Sequence, residues 1–314
     1  MKTATWFTAL CLVAICLWTG NCCAQDLAPR AYLITPTHSN AVTLTYSFLD
    51  GNIQLDGNLP ITGATTKTHI PTLSYYHSFR LLGRSANLTV FLPYGVGNFH
   101  GTVVGAEASA YRSGLLAPTF RISVNVIGGP AMSPKEFVTW RQKTLLGVSL
   151  RIVPSAGQYD PTKLVNLGTH RWAFKPELGY SHRSGHWILD AYGGVWFFTE
   201  NTKFFSNNQF SSGTNIQRES PVGSLEGHLS YDFKLRLWVS ADANFWSGGR
   251  TSLNGKPSIG TEQRNSRVGA SASIPISGHQ SLKFSYSDGA YIRYGGNYQT
   301  ISLAWQYSWI GRPN

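Results

Sequence analysis

Twelve stretches of this chain alternate large apolar residues with small or polar ones, and this period of two constrains the fold more than any other feature. The last stretch, within Tyr298–Trp309, sets Ile301, Leu303, Trp305, Tyr307 and Trp309 against Thr300, Ser302, Ala304, Gln306 and Ser308. Successive side chains of a strand point to opposite faces, so each stretch is a strand whose two faces meet different solvents. Earlier stretches carry the apolar sets Val42/Leu44/Tyr46/Phe48, Leu73/Tyr75/His77/Phe79, Leu146/Val148/Leu150/Ile152 and Leu225/Gly227/Leu229/Tyr231/Phe233. Each runs for roughly 9–11 residues, the length of a tilted strand that crosses a bilayer.

The second face identifies the solvents. It carries Arg121, Arg151, Lys175, Glu177, Asp190, Glu226, His228, Asp232, Arg236, Asp242, Arg267 and Lys283. A dry sandwich core would have to pair every one of these, at several kcal/mol for each ion left alone, whereas a wet lumen carries them without that cost. The connections agree. Long ones (51–67, 95–116, 156–170, 200–219, 247–263 and 287–296) alternate with short ones (81–85, 183–185, Lys234 alone and 277–280). Short turns at one end and long loops at the other are the habit of an outer-membrane barrel. One connection, 128–141, is too long for a turn; its Ser133-Pro134-Lys135-Glu136 is a capping box with proline in the first helical turn and predicts a short helix. Phe79, Trp187, Phe233 and Trp309 fall at one set of strand ends, and Phe48, Tyr94, Trp172 and Phe245 at the other, as two interfacial girdles would. The expected fold class is therefore all-β: a transmembrane antiparallel up-and-down β-barrel of about 12 strands with one short periplasmic helix.

The N-terminus places such a barrel. Lys2, an apolar run from Trp6 to Trp18, and Cys22-Cys23-Ala24 read as a signal peptide over residues 1–24, since the run is short of the ~18 residues of a spanning helix. All four cysteines lie inside it, so the mature chain would hold no disulfide and no thiolate ligand. The remaining organisation reads as a periplasmic N-terminal segment (25–39), the barrel (40–309) and a C-terminal extension (310–314), in the cell outer membrane. Without the leader, 25 basic and 15 acidic side chains give a net charge of +10. The basic residues are scattered along an exported chain, which argues against nucleic acid as a partner.

Several stretches resemble the family labelled "Putative MetA-pathway of phenol degradation", a group of outer-membrane channels: 26–42 (DLAPRAYLITPTHSNAV), 112–128, 157–181 (GQYDPTKLVNLGTHRWAFKPELGYS), 194–201 and 265–277. The resemblance implies passage of aromatic or other hydrophobic small molecules and carries over no binding residue. Three partners are expected: outer-membrane lipid, the barrel-insertion machinery and a small-molecule solute. The residues Ile310–Asn314, beyond the last strand's aromatic, depart from the usual barrel ending.

Enzymatic chemistry is the competing class of function. Some barrels hydrolyse lipid with serine, histidine and asparagine, and His38, Ser39 and Asn40 offer those types. Adjacent residues at a strand start point to opposite faces, however, and do not assemble a nucleophile with its base. The nine histidines lack metal-site spacing, although His182 and His186 straddle a turn, and no cofactor motif stands out. The candidate lumen residues are Arg121, Arg151, Tyr192, Trp196, Arg236, Trp238 and Arg267: rings to stack on a flat solute and guanidinium groups to pair with a carboxylate. The alternative for the arginines is a structural ladder with Glu177, Glu226 or Asp242. The expectation is a channel for passive uptake of small hydrophobic or aromatic compounds or organic acids, set against a lipid hydrolase and a plugged structural or adhesive barrel.

Overall fold

A computed structural model describes residues 27–54 and 59–312, so the expected signal peptide and its cysteines lie outside the described residues. The elements are β1 (Ser39–Ile53), β2 (Ile61–Leu81), β3 (Arg84–Val103), β4 (Ala106–Leu115), β5 (Thr119–Ile127), α1 (Pro134–Thr139), β6 (Thr144–Val153), β7 (Ala173–Ser184), β8 (Trp187–Phe198), β9 (Gln217–Glu219), β10 (Val222–Lys234), β11 (Leu237–Gly248), β12 (Thr251–Leu253), β13 (Lys256–Pro257), β14 (Gln263–Pro275), β15 (Gln280–Ile292) and β16 (Gly296–Ile310). Twelve of the strands form the wall, each antiparallel to its neighbour in sequence. The ring closes where β1 meets β16, with Val42 opposite Tyr307 and Leu44 opposite Trp305. Closure leaves the wall no unpaired edge, which a membrane requires of any sheet.

The apolar set of each strand faces out. Leu44, Leu178 and Leu303 are 52%, 52% and 51% exposed on the bare protein, within a belt of similar residues around the ring. A belt of this extent is held in lipid, since water would drive it to associate. Aromatic groups cluster at the strand ends, with Trp187, Tyr231 and Phe233 in contact at 4.9 and 5.0 Å, and Tyr307 against Trp309 at 5.8 Å.

The structure differs from the sequence reading at the margins. β2 and β3 run for 21 and 20 residues, well past the expected length, because their ladder continues out of the membrane to Ile61 opposite Val103. The expected loop 95–116 is consequently strand, with β4 pairing along upper β3 from Tyr94–Leu115 to Val103–Ala106. The expected loops 200–219 and 247–263 contribute β9, β12 and β13, a small separate sheet. Beyond the lipid both faces of a strand meet water or protein, so the apolar alternation that marks wall strands is lost there. The β10–β11 turn is not Lys234 alone: Lys234 pairs with Leu237, and Leu235–Arg236 form a two-residue turn with Arg236 at φ 65°.

The helix forms as expected, and its place in the fold explains the long connection around it. The Ser133 hydroxyl accepts from the Glu136 amide (3.4 Å), and the Ser133 amide donates to the Glu136 carboxylate (2.7 Å). Beneath the helix, Met132, Leu145 and Ile34 make a small buried core with Phe137 and Trp140 packed against it. Ile34 belongs to the chain before β1. Residues 27–38 turn into the ring of strands at its short-turn end, and the Thr37 amide donates to the Met132 carbonyl (2.8 Å), so the 128–141 connection latches the segment in place.

Candidate functional site in the bore

Inward-facing side chains stack in rows set by strand register. One row runs Arg121, Arg151, Lys175 across β5, β6 and β7, three cations on directly opposed positions. Like charges so placed repel, and carboxylates in the next two rows offset them. Glu177 lies 2.6 Å from Lys175 and 3.7 Å from Arg121, while Lys175 also reaches Glu226 at 2.7 Å. Further round the wall, His228 Nδ1 meets Asp242 at 2.9 Å, and Asp242 accepts from Ser240 (3.1 Å) and Ser271 (3.0 Å). Lys175, Glu177, Glu226, His228 and Asp242 are all buried. This side of the bore is filled with paired acids and bases, and pairing is how a low-dielectric interior tolerates charge.

Residues 27–38 complete that packing. Tyr32 is fully buried; its hydroxyl donates to Glu177 (3.0 Å) and pairs with Ser149 (2.9 Å). Its ring lies against Gly147 and Gly179, which stand opposite each other on β6 and β7; a Cβ on Gly179 would sit 2.0 Å from the ring. Tyr192 packs on the other side at 5.1 Å, and the Arg121 guanidinium lies 4.7 Å over the ring. Arg30 donates through its amide to Asp190 (3.1 Å) and through its guanidinium to Asp232 (2.6 Å). The Thr35 hydroxyl pairs with Tyr76 (2.8 Å).

The opposite side of the bore, along β1, β2, β3, β15 and β16, is lined by small hydroxyls such as Thr43, Thr45, Ser74, Ser285 and Ser302 and stays open. The cavity there has a volume of about 990 Å³. Its charged lining is Arg30, Arg121, Arg151, Arg236 and Lys283; among the described residues no aspartate or glutamate borders it. Tyr76 and Phe91 add rings. The acids lie behind, committed to the ladder.

The seven candidate residues fall into three groups. Arg121 and Tyr192 hold the inner segment, Arg121 through the Ala31 carbonyl (3.3 Å) and Tyr192 by accepting from the Ala31 amide (3.0 Å). Arg151 lines the open cavity with Trp196 6.0 Å from its guanidinium, and Trp238 carries the Arg30 guanidinium 4.3 Å above its ring. Arg267 is buried between Tyr298 (4.5 Å), Ser287 (3.1 Å) and Thr300 (3.4 Å), while Arg236 binds the carbonyls of Ser277 (2.9 Å) and Gly278 (2.6 Å) at a turn. The inner segment is the part that sequence reasoning missed. The opposed inward glycines were its signal, since glycine inside a strand marks close approach by something else.

The residues weighed for catalysis do not assemble. Ser39 donates to the Pro36 carbonyl (2.7 Å) and the Asn40 amide to the His38 carbonyl (2.8 Å). Asn40 does accept from Tyr75 (2.7 Å) and pair with His77 (2.8 Å) on the outward face, but among the described residues no serine or threonine hydroxyl is bonded to His77. His182 and His186 turn to different partners, Thr144 (2.9 Å) and the Asp232 carbonyl (2.7 Å).

A closed ring with a lipid-facing belt, aromatic rims and a charged bore defines an outer-membrane β-barrel. Within that class the chain belongs to the family described as "Putative MetA-pathway of phenol degradation", whose sequence profile matches residues 57–298. Its fold is similar to that of an outer-membrane channel from Pseudomonas putida F1, at 14% identity and a TM-score of 0.74 over 90% of this chain and 100% of the other. It is more distantly similar to the transport unit of the autotransporter AIDA-I from Escherichia coli, at 12% identity and a TM-score of 0.52 over 95% and 97% of the two chains. The translocator domain of the autotransporter NalP from Neisseria meningitidis follows, at 10% identity and a TM-score of 0.50 over 88% and 90%. No curated protein matches the chain by sequence.

Proposed function

We propose that this barrel passes small organic acids and aromatic compounds passively across the outer membrane, through the hydroxyl-lined side of its bore. The supporting observation is the charge of that cavity: five basic side chains border it and no described carboxylate does. A wall of hydroxyls over a positive field favours an anion without gripping it, and passage needs binding weak enough to release. Tyr76 and Phe91 give a flat ring a surface to slide along, and Arg151 and Lys283 are the cations we assign to the solute's carboxylate. Engagement of the insertion machinery through β16 belongs to the same proposal.

A second reading, a plugged barrel, is favoured by the docked 27–38 segment. Uptake by liposomes carrying the folded protein separates the two. Entry of benzoate and of a short aliphatic acid faster than a neutral sugar of similar size supports the channel. Exclusion of all three solutes, at the rate of protein-free liposomes, overturns it in favour of the plugged barrel.

A further inference from the structure

Above the membrane, β2, β3 and β4 continue as a three-stranded blade whose inner face should be polar if it met only water. It carries instead Ala64, Phe99, Gly101 and Ala110, with Phe99 directly opposite Ala110. Two loops bring apolar side chains over this face: Leu164 and Val165 from the β6–β7 connection, and Phe205 and Phe210 from the β8–β9 connection, their rings 6.1 Å apart. The half-open cavity has a volume of about 430 Å³, within the ~300–1,000 Å³ range of small-molecule sites.

The walls are tied together. The Arg112 guanidinium on β4 donates to the Val165 carbonyl (2.8 Å), the Ser206 amide to the Pro161 carbonyl (2.8 Å), and Asn201 to the Tyr159 hydroxyl (3.0 Å). The first bond ties β4 to the β6–β7 connection and the other two tie that connection to the β8–β9 connection, so the cavity is built into the loops and does not depend on a chance gap between them. Its nearby charges are committed. Arg112 is held by the carbonyls of Val165 and Tyr111, and Lys163 lies 3.0 Å from Asp160.

We infer that this cavity is an outer capture site for a neutral apolar molecule of one or two rings, set above the bore. The inference rests on the uptake reading above and deepens it. The bore presents cations to a charged solute, whereas the outer cavity presents rings and methyl groups and no uncommitted charge. A compound that is sparingly soluble in water gains residence at the mouth by burying its apolar surface there. Phe99 and Phe210 supply ring faces, and the absent side chain of Gly101 leaves the floor recessed.

The probe is 4-fluorophenol, neutral at pH 7 and soluble enough to titrate, followed by ¹⁹F NMR with the protein in lipid nanodiscs. A single cysteine, Gln209→Cys, carries a spin label at the rim. The expected result is saturable binding with strong relaxation of the bound fluorine, weakened at least tenfold by Ala110→Trp, which fills the cavity, and by Leu164→Asn, which alters a loop and leaves every strand intact. Binding should persist in Ser74→Trp, which narrows the bore. No saturable binding overturns the site, as does binding that survives both cavity variants or is lost only in Ser74→Trp. Benzoate uptake by the unlabelled protein is measured in parallel. Uptake without capture removes the outer site and leaves the channel, and capture without uptake does the reverse.

Discussion

The contact between Tyr32 and Gly179 makes a single methyl group a decisive perturbation. A Cβ at position 179 would lie 2.0 Å from one ring atom of Tyr32 and 2.3 and 2.4 Å from two more. Carbon atoms settle at about 3.5–4.0 Å, so the ring would have to withdraw by well over an ångström. It has nowhere to go within its seat, with Tyr192 and the Arg121 guanidinium packed on it. Gly179→Ala is therefore expected to expel the ring. A buried tyrosine covers roughly 150–250 Å², worth about 4–6 kcal/mol at ~25 cal/mol per Å². Its hydrogen bond to the Glu177 carboxylate adds about 1.5–3 kcal/mol. Local release of about three residues around Tyr32 regains conformational entropy at about 1–2 kcal/mol each, which offsets much of that sum. We expect a net loss of about 3 kcal/mol in docking, more than a hundredfold in the docked-to-undocked ratio. The assay is labelling of a single cysteine, Ala31→Cys, by a bulky maleimide in a chain that has no other cysteine from residue 25 onward. Labelling should accelerate about a hundredfold in the Gly179→Ala background, and single-channel conductance should rise with it. A labelling rate within threefold of the parent, in barrels shown to be folded by heat-modifiable migration, would refute the reasoning.

Other outcomes follow from the same geometry. Arg151→Gln should slow benzoate uptake by liposomes while sparing a neutral sugar, whereas Arg236→Gln, whose guanidinium is held by turn carbonyls, should lower the acid-to-sugar ratio less and reduce stability to urea. Lys175→Met leaves Glu177 and Glu226 buried without their shared cation and should destabilise the barrel by about 3–5 kcal/mol in urea unfolding from vesicles. In the β6–β7 loop, the Asp160 carboxylate is held at about 2 by the Thr162 hydroxyl, then by Lys163 and the Thr162 amide. A depressed folded pKa stabilises the loop above the unfolded value of 3.8 and loses that contribution as pH falls toward 2. The Thr162 amide resonance should titrate with a midpoint near 2, and a midpoint near 3.8 would show that the turn does not hold the carboxylate.

The wall was legible in the sequence because lipid and lumen impose opposite demands on alternate residues, as in Leu303 and Ser302 of β16. Where that contrast stops, legibility stops: Thr65–His69 of β2 and Gly95–Gly101 of β3 continue the ladder without a lipid-facing apolar set. The inward parity of Arg121, Arg151 and Arg267 followed from counting along strands; Arg236 also borders the bore, but from the two-residue β10–β11 turn, where its guanidinium serves turn carbonyls. Least legible was the inner segment. Nothing local to Arg30 or Tyr32 indicates partners such as Asp232 and Glu177, 202 and 145 residues away. Only the facing glycines on β6 and β7 marked the vacancy that a ring would fill.

Those separations impose an order of assembly in time. Contacts spanning so much chain form late, since every intervening loop must close first. Tyr32 can seat only once β6, β7 and β8 stand side by side, and Arg30 only once β10 has joined them. The stretch that precedes every strand thus settles late. Until it does, Glu177, Asp190 and Asp232 face an open, flooded interior, so the nascent barrel passes through a stage more permeable than the finished one.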